Sequence, residues 1–348
     1  MNDSRLKLPP YHVGGDRSQV DDVWRESELA LGPDCALGRR VETLALAHLE
    51  ASLLTPPLPE QHSGYEYAHL FPWLESVHEL QLALMLARFG LYRHAADGLR
   101  GTLELGVIGV THGSGGLSDS DLKRWFESDN RTPFWRAMCA RLFEHERFST
   151  ADNLLGLRRT LDDTYGHLCD YAHSRGLNFS SRGQYPLPLI GCQFSTDSLE
   201  EHVELMKEVV AILVTLQLVK HPIGMQSLPV HRKIAPDRLV HGLVDEHAKA
   251  RMTTVLDARA VRVLQELSDS DMVVAAIMGQ VRDMPDLSEA AWLEAESVYK
   301  EGLEALAAMG RVGNMPDVMD PVWRFMLLDL SLGAEWLQRG HKRVDHRV

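Results

Sequence analysis

The stretch "FPWLESVHELQLALMLARFGLYRHAADGLRGTLELGVIGV", residues 71–110, decides the fold class of this chain. Its apolar residues recur three and four positions apart over the whole length, which is the spacing of an α-helix. Gly90 and Gly98 are the two candidates for a junction or a kink within it, because glycine interrupts a helical pattern. The stretch therefore predicts one kinked helix or two consecutive helices.

The rest of the chain repeats this pattern and contains few signs of β-strands. Residues 41–53 have the same helical spacing, and Ser118 and Ser149 each stand three residues before an aspartate at a predicted helix start. The one extended stretch, 184–194, contains two prolines, which favour a loop or an edge segment. The sequence therefore predicts an all-α protein.

Loops rich in proline, glycine and serine indicate how the predicted helices are grouped. We predict a boundary in the loop at 176–196 or in the segment at 220–236. The predicted organisation is an N-terminal extension at 1–36, a helical bundle at 37–175, the loop at 176–196, a second helical region at 197–338 and a basic tail at 339–348.

Composition excludes several classes of protein. The chain has 348 residues, with 36 Lys and Arg against 49 Asp and Glu and a formal charge of −13, so a broad basic surface for nucleic acid is not expected. Four cysteines without a Cys-x-x-Cys pair are typical of reduced thiols in the cytoplasm. The N-terminus lacks the apolar core of a signal peptide. The most apolar run, 209–219, is too short for a membrane span and predicts a buried core helix.

The segment "YGHLCDYAHSRG", which begins at Tyr165, gathers two histidines, a thiol, an acid and two tyrosines. Tyr165, Cys169 and His173 are four residues apart and therefore share one helical face. Arg100 and Glu104, on an earlier predicted helix, have the same spacing, and charged groups beside an apolar face need partners. We therefore predict that the two helices pack side by side. The predicted polar seam consists of Arg100, Glu104, Tyr165, Cys169 and His173.

The motifs "LRGTLELG" and, some sixty residues later, "YGHLCDYAHSRG" together resemble the HEPN-like helical domain. This domain occurs in uncharacterised bacterial proteins and in toxin and antiviral systems. Its members often carry an Arg-x-x-x-Glu on one helix, and a later helix that ends in an aromatic residue, a small residue and a histidine. The resemblance covers residues 73–176 and implies a HEPN-like helical bundle with a role in a bacterial defence or stress system.

Active HEPN-like proteins are metal-independent ribonucleases, so the resemblance also implies catalytic candidates. They use an arginine and a histidine about four to six residues apart, for phosphate neutralisation and for proton transfer at the cleaved bond. Here the histidine would be His173. The position that matches the arginine is His167, an imidazole that does not supply a permanent charge at neutral pH. Arg100 is the other candidate for that charge, so a degenerate domain and an active endoribonuclease are alternatives.

A dimetal carboxylate site is a further alternative. Glu75 with His78, and Asp170 with His173, each place a carboxylate and an imidazole one helical turn apart, and Glu104 adds another carboxylate. Bundles that hold two iron or manganese ions combine such Glu-x-x-His pairs with single glutamates. The pattern is typical of an oxidoreductase, but a fourth carboxylate has no clear position in this chain.

A glycine-rich segment and a loose group of histidines are the remaining polar features. The segment "HGSGGLSDSDL" at 112–122 leads into a predicted helix whose amides could hold an anion, but it lacks the Lys-Ser or Lys-Thr ending of a phosphate-binding loop. His221, His231, His241 and His247 form no closed set of metal ligands, so we expect surface or core histidines.

The sequence as a whole favours an interaction module over an enzyme. We expect a cytoplasmic helical protein that binds a protein partner or self-associates, that needs no cofactor or metal, and that does not enter a membrane. RNA is an alternative ligand. The ribonuclease and the dimetal oxidoreductase are the alternative functions.

Overall fold

The computed structural model describes residues 17–52, 70–112, 118–126, 135–173, 193–226 and 246–283, with a few single positions beside these ranges. Within these residues the chain forms α-helices joined by turns, with one short 3₁₀-helix and no β-strand. The predicted all-α fold class is confirmed.

The helices follow one another closely along the described chain. In order they are α1 (Arg17–Ala30), α2 (Ala36–Ser52), α3 (Leu70–Arg88), α4 (Tyr92–Thr111), α5 (Asp119–Phe126), α6 (Trp135–Leu142), α7 (Glu146–Leu155), α8 (Leu157–Ala172), α9 (Thr196–Lys220), the 3₁₀-helix (Pro222–Met225), α10 (Glu246–Thr254), α11 (Ala258–Ser270) and α12 (Met272–Asp283). Helix α1 lies inside the segment that the sequence analysis assigned to an N-terminal extension.

The 71–110 stretch forms two antiparallel helices, α3 and α4, with the junction at Gly90. Gly90 has a φ of 71°, and the amide of Leu91 donates to the carbonyl of Leu86 at 2.9 Å, which is the hydrogen bond of a Schellman cap. Gly98 instead lies inside α4, where a Cβ would stand 3.0 Å from the Cβ of Ala83 on α3. Gly90 therefore reverses the chain, and Gly98 lets the two helices approach closely.

Helix α9 lies at the centre of the core. Every residue from 212 to 219 is buried, as are Val209 and Val210, which confirms the predicted core helix. Gly106 of α4 faces it so closely that a Cβ there would stand 2.5 Å from the side chain of Leu213. No described helix combines the length and the apolar character that a membrane crossing needs.

The core includes helices from both sides of the predicted loop at 176–196. One cluster of buried side chains includes Leu103 of α4, Leu168 of α8, Leu213 of α9 and Met252 of α10. Residues on both sides of the predicted loop at 176–196 therefore share one core, because α9 packs directly on α2 and α4. The predicted region from 291 to 338 and the tail at 339–348 lie outside the described residues.

The two predicted helix starts have different outcomes. Ser118 is a capping residue, since its Oγ accepts from the amide of Asp121 at 3.1 Å. Ser149 is not, because it lies inside α7, and His145 caps that helix through Nδ1, which accepts from the amide of Arg147 at 3.3 Å. The prediction at Ser149 was wrong because a histidine, a less common N-cap, begins the helix four residues earlier.

Candidate functional site

Helices α4 and α8, which carry the polar seam, pack against each other in antiparallel directions. Near the start of α4, Arg93 donates to the carbonyls of Tyr171 and Ala172 at the end of α8, at 3.1 Å each. Further along α4, Glu104 accepts a hydrogen bond from the Tyr165 hydroxyl, earlier in α8, at 2.9 Å. The structure thus brings together the two segments that the sequence analysis paired.

Arg100 is held by carboxylates of its own helix. Its Nε lies 3.6 Å from a carboxylate oxygen of Glu104 and 3.7 Å from one of Asp97. The side chains of Arg100 and Glu104 are 26% and 28% exposed, so this is a partly solvated pair and not a buried one. Nε forms no hydrogen bond within the described residues.

Tyr165 is the centre of the seam. Its ring stacks on Trp135 of α6, with the centroids 3.9 Å apart and the planes 9° from parallel. Burial raises the pKa of the Tyr165 hydroxyl, and the hydrogen bond to Glu104 and the nearby Cys169 thiol raise it further. Tyr165 therefore stays a neutral phenol that donates to Glu104, which is a packing role.

The two histidines of the ribonuclease hypothesis have different surroundings. His173 follows the last residue of α8, and its side chain is exposed. His167 is half-buried, with its ring edge-on to the rings of Tyr171 and Phe179, whose centroids lie 5.4 and 5.8 Å away. Arg100 pairs with Glu104 and Asp97, and no hydrogen bond or ion pair among the described residues joins it to His167 or His173.

The proposed dimetal ligands are also not assembled. His78 on α3 is exposed, and Asp170 on α8 is paired with Arg175 at 3.0 Å. Glu75 is half-buried on α3, whereas Glu104 is hydrogen-bonded to Tyr165. Among the described residues, no three His, Cys, Asp or Glu side chains form a group that could hold a metal ion.

A cleft at the other end of α4 was not predicted. It has a volume of about 320 Å³ and lies where four segments meet: the end of α4, the start of α7, the end of α9 with the 3₁₀-helix, and the start of α12. The polar residues that line it are His112, Ser114, His145, Arg147, Lys220, His221 and Asp271. We call it the Lys220 cleft.

Arg147 connects three of these segments. One guanidinium nitrogen donates to the carbonyl of Lys220 at 3.0 Å, and another donates to the carboxylate of Asp271 at 2.6 Å. Asp271 also caps α12, since it accepts from the amides of Val273 and Val274 at 2.9 and 3.1 Å. Arg147 and Asp271 thus build one wall of the cleft.

Lys220 is the last residue of α9, and its side chain caps the C-terminal end of α4. Its Nζ donates to the carbonyl of Gly109 at 2.8 Å, one of the terminal carbonyls that a helix cannot bond internally. Burial disfavours the ammonium and lowers the pKa of Lys220 to about 7. A lysine that changes charge near neutral pH is uncommon outside functional sites.

Two features of the sequence include residues of the Lys220 cleft, but no sequence pattern placed them at one site. His112 begins the glycine-rich segment that was considered as an anion site, and His221 belongs to the loose group of histidines. Both line the cleft. His231 and His241 lie outside the described residues.

Comparison of the chain with models of protein families, with curated proteins and with solved structures gives no match. The HEPN-like resemblance therefore stays a prediction that rests on the motifs around Arg100 and His173.

Proposed function

We propose that the protein is a non-catalytic helical interaction module with a degenerate HEPN-like bundle, which binds a protein partner or a second copy of itself. The proposal is supported by the pairing of the polar side chains in the seam with one another. Arg100 is paired with two carboxylates of α4, and Glu104 accepts from Tyr165, so these groups serve helix packing. His173, also predicted in the seam, follows the last residue of α8, and its side chain is exposed.

The location and the biological setting follow from less direct arguments. We propose the cytoplasm, because the three described cysteines, Cys35, Cys139 and Cys169, are free thiols. The resemblance extends the proposal to a bacterial defence or stress system.

An RNA cleavage assay tests the non-catalytic part of the proposal. Purified full-length protein is incubated with labelled RNA in the presence of EDTA, beside His173→Ala and a control variant, His94→Ala, with another exposed histidine on α4. We expect no cleavage that depends on His173. Cleavage by the wild type and by the His94 variant that disappears in the His173 variant would establish the ribonuclease instead.

A second experiment tests the interaction. In one measurement, the tagged full-length protein is purified, after brief cross-linking, from cells of the organism that encodes it. In a second measurement, light scattering gives the mass of the purified protein in solution. We expect either a stoichiometric partner or an oligomer of this chain. The proposal is contradicted if the protein is a monomer by light scattering and no stoichiometric partner is recovered after cross-linking.

A further inference from the structure

The Lys220 cleft has the dimensions and the lining of a small-molecule site. Its volume of about 320 Å³ lies at the lower end of the range for ligand pockets. Phe148, Ile223 and Ile277, from three different elements, give it apolar walls. Apolar walls with a few convergent polar groups are the usual composition of a ligand site.

The charged and titratable groups that face this space are mostly basic. They are Arg147, Lys220, His112, His145 and His221, with Asp271 as the one carboxylate among the residues that the structure describes. Asp271 repels an anion weakly, because Arg147 donates to it and two backbone amides of α12 bind it. Because Arg147 is paired with Asp271, the ammonium of Lys220 is the main source of positive charge for an anion in the cleft, on a chain with a formal charge of −13.

Lys220 is the group that gains most from a bound anion. An ammonium has three N–H donors, and one of them binds the carbonyl of Gly109. A single neutral carbonyl only partly replaces the water that the ammonium loses on burial, which is why the pKa of Lys220 falls to about 7. A carboxylate or phosphate beside Nζ would offset this desolvation by a charge-assisted hydrogen bond.

We propose that the Lys220 cleft binds a small organic anion, a carboxylate or a phosphate monoester that carries a short apolar chain. The anionic group lies at the ammonium of Lys220. The apolar chain lies against Phe148 and Ile277. This inference goes beyond the proposed interaction module and does not depend on the polar seam.

Calorimetric titration of the full-length protein tests the ligand class. The probes are hexanoate and hexyl phosphate, with hexylamine and hexanol as probes that have the same chain without the negative charge, and inorganic phosphate as the anion without the chain. We expect the two organic anions to bind most tightly. Binding of hexylamine or hexanol as tight as that of hexanoate, or no binding of either organic anion, would overturn the proposal.

Two matched lysine variants test the assignment to Lys220. Lys220→Met keeps the length of the side chain and removes its charge, and we expect hexanoate to bind at least about tenfold more weakly. Lys249→Met is the control, because Lys249 donates to Gln265 at 2.9 Å away from the cleft. Equal affinities of wild type and Lys220→Met, or equal losses in both variants, would contradict the site.

A third variant and a pH series keep the test decisive if Lys220→Met folds poorly. Ile277→Trp fills the cleft without replacing a charged group, and binding should be lost while the circular dichroism spectrum is unchanged. In the wild type, hexanoate stays ionised but Lys220 loses its proton, so affinity should fall about tenfold from pH 6 to pH 8. Retained binding in Ile277→Trp, or equal wild-type affinity at both pH values, counts against the proposal.

Discussion

The middle of α4 and its C-terminal end hold their polar groups in different ways. In the middle of the helix, Arg100 and Glu104 meet Asp97 and Tyr165 in the polar seam, and the facing rings of Tyr165 and Trp135 are stacked. At the C-terminal end, polar side chains from four segments surround a cleft of about 320 Å³. In both places basic and acidic groups lie beside apolar side chains.

The difference lies in the space that packing leaves. In the seam, aromatic rings fill the volume between the helices, so each polar group acts mainly on its neighbours. In the cleft, four helix ends meet, and helix ends cannot interlock along their length as two parallel faces can. The polar groups of the cleft also hold helix ends together, but they border an open space, whereas those of the seam border other side chains.

Acid should destabilise the core that α4 shares with α2, α3 and α9, and this is the largest expected effect. His48 on α2 binds the hydroxyl of Ser76 on α3 at 3.0 Å, and Ser76 donates to the carbonyl of Thr102 on α4 at 2.9 Å. Burial lowers the pKa of His48, and likewise that of His202 on α9, to about 4. In the unfolded chain these two histidines take up protons near pH 6.5, their ordinary pKa. Between pH 6.5 and 4 the unfolded chain therefore binds more protons than the folded chain.

The free energy of unfolding should therefore fall as the pH falls through this interval, by about 3 kcal/mol for each of the two histidines. Urea unfolding at pH 7 and pH 4 measures it. His202→Leu should remove about half of this pH dependence, because it removes one of the two buried histidines. The variant should still fold, since the ring nitrogens of His202 have no hydrogen-bond partner among the described residues. His173→Gln, at an exposed position, is the control, and a variant His202→Leu with the full wild-type pH dependence would refute this account.

Two glycine-to-alanine variants compare a tightly packed position on α4 with an exposed position on α8. In Gly109→Ala the new Cβ would stand 2.5 Å from Cδ1 of Trp73, a rigid and buried ring, and we expect a loss of about 1–3 kcal/mol of stability. Gly166→Ala on α8 is the matched control, because its Cβ would meet nothing within 4 Å. That exchange should stabilise the protein by about 0.5–1 kcal/mol. Thermal unfolding of both variants decides, and equal effects would contradict the packing at Trp73.

Helical periodicity made the fold class and the pairing of Glu104 with Tyr165 predictable. Both signals are local, since residues four apart, such as Arg100 and Glu104, share a helix face wherever the helix packs. Their tertiary partner Tyr165 was found by the same rule on a second helix. Arg93 was missed because it binds the backbone carbonyls at the end of α8, and no pattern of side chains marks a carbonyl.

The Lys220 cleft could not be predicted in the same way. His112, Arg147, Lys220 and Asp271 come from four separated segments, and each alone reads as an ordinary residue at a helix end. Their meeting depends on how α9 passes through the core, which also joins the two regions that the loop at 176–196 was expected to separate. Such a site depends on tertiary packing, and local patterns singled out only two of its residues, His112 and His221, without joining them.

Removal of one hydroxyl measures how much the seam contributes to folding. Tyr165→Phe keeps the stack on Trp135 and loses the hydrogen bond to Glu104, so stability should fall by about 1 kcal/mol. The double variant with Glu104→Gln should lose less than the sum of the two single losses, because both exchanges alter one interaction. Urea unfolding of the four proteins gives the coupling, and strictly additive losses would show that the two groups do not interact.

The smallest effect is expected at Arg100, and it places the seam between the core and the surface. A buried ion pair that loses one partner costs about 3–5 kcal/mol, but Arg100 and Glu104 are 26% and 28% exposed and 3.6 Å apart. Arg100→Ala should therefore cost only about 0.5–1 kcal/mol, and less at high salt, because water and ions screen the pair. Arg159→Ala is the control, since its pair with Asp163 has the same spacing but side chains that are 89% and 73% exposed, and it should cost less still. Urea unfolding at low and high salt separates the two variants. A loss of 3–5 kcal/mol at Arg100 that salt does not reduce would mean that the guanidinium is a buried structural charge, so that the seam resembles the core more than its exposure suggests.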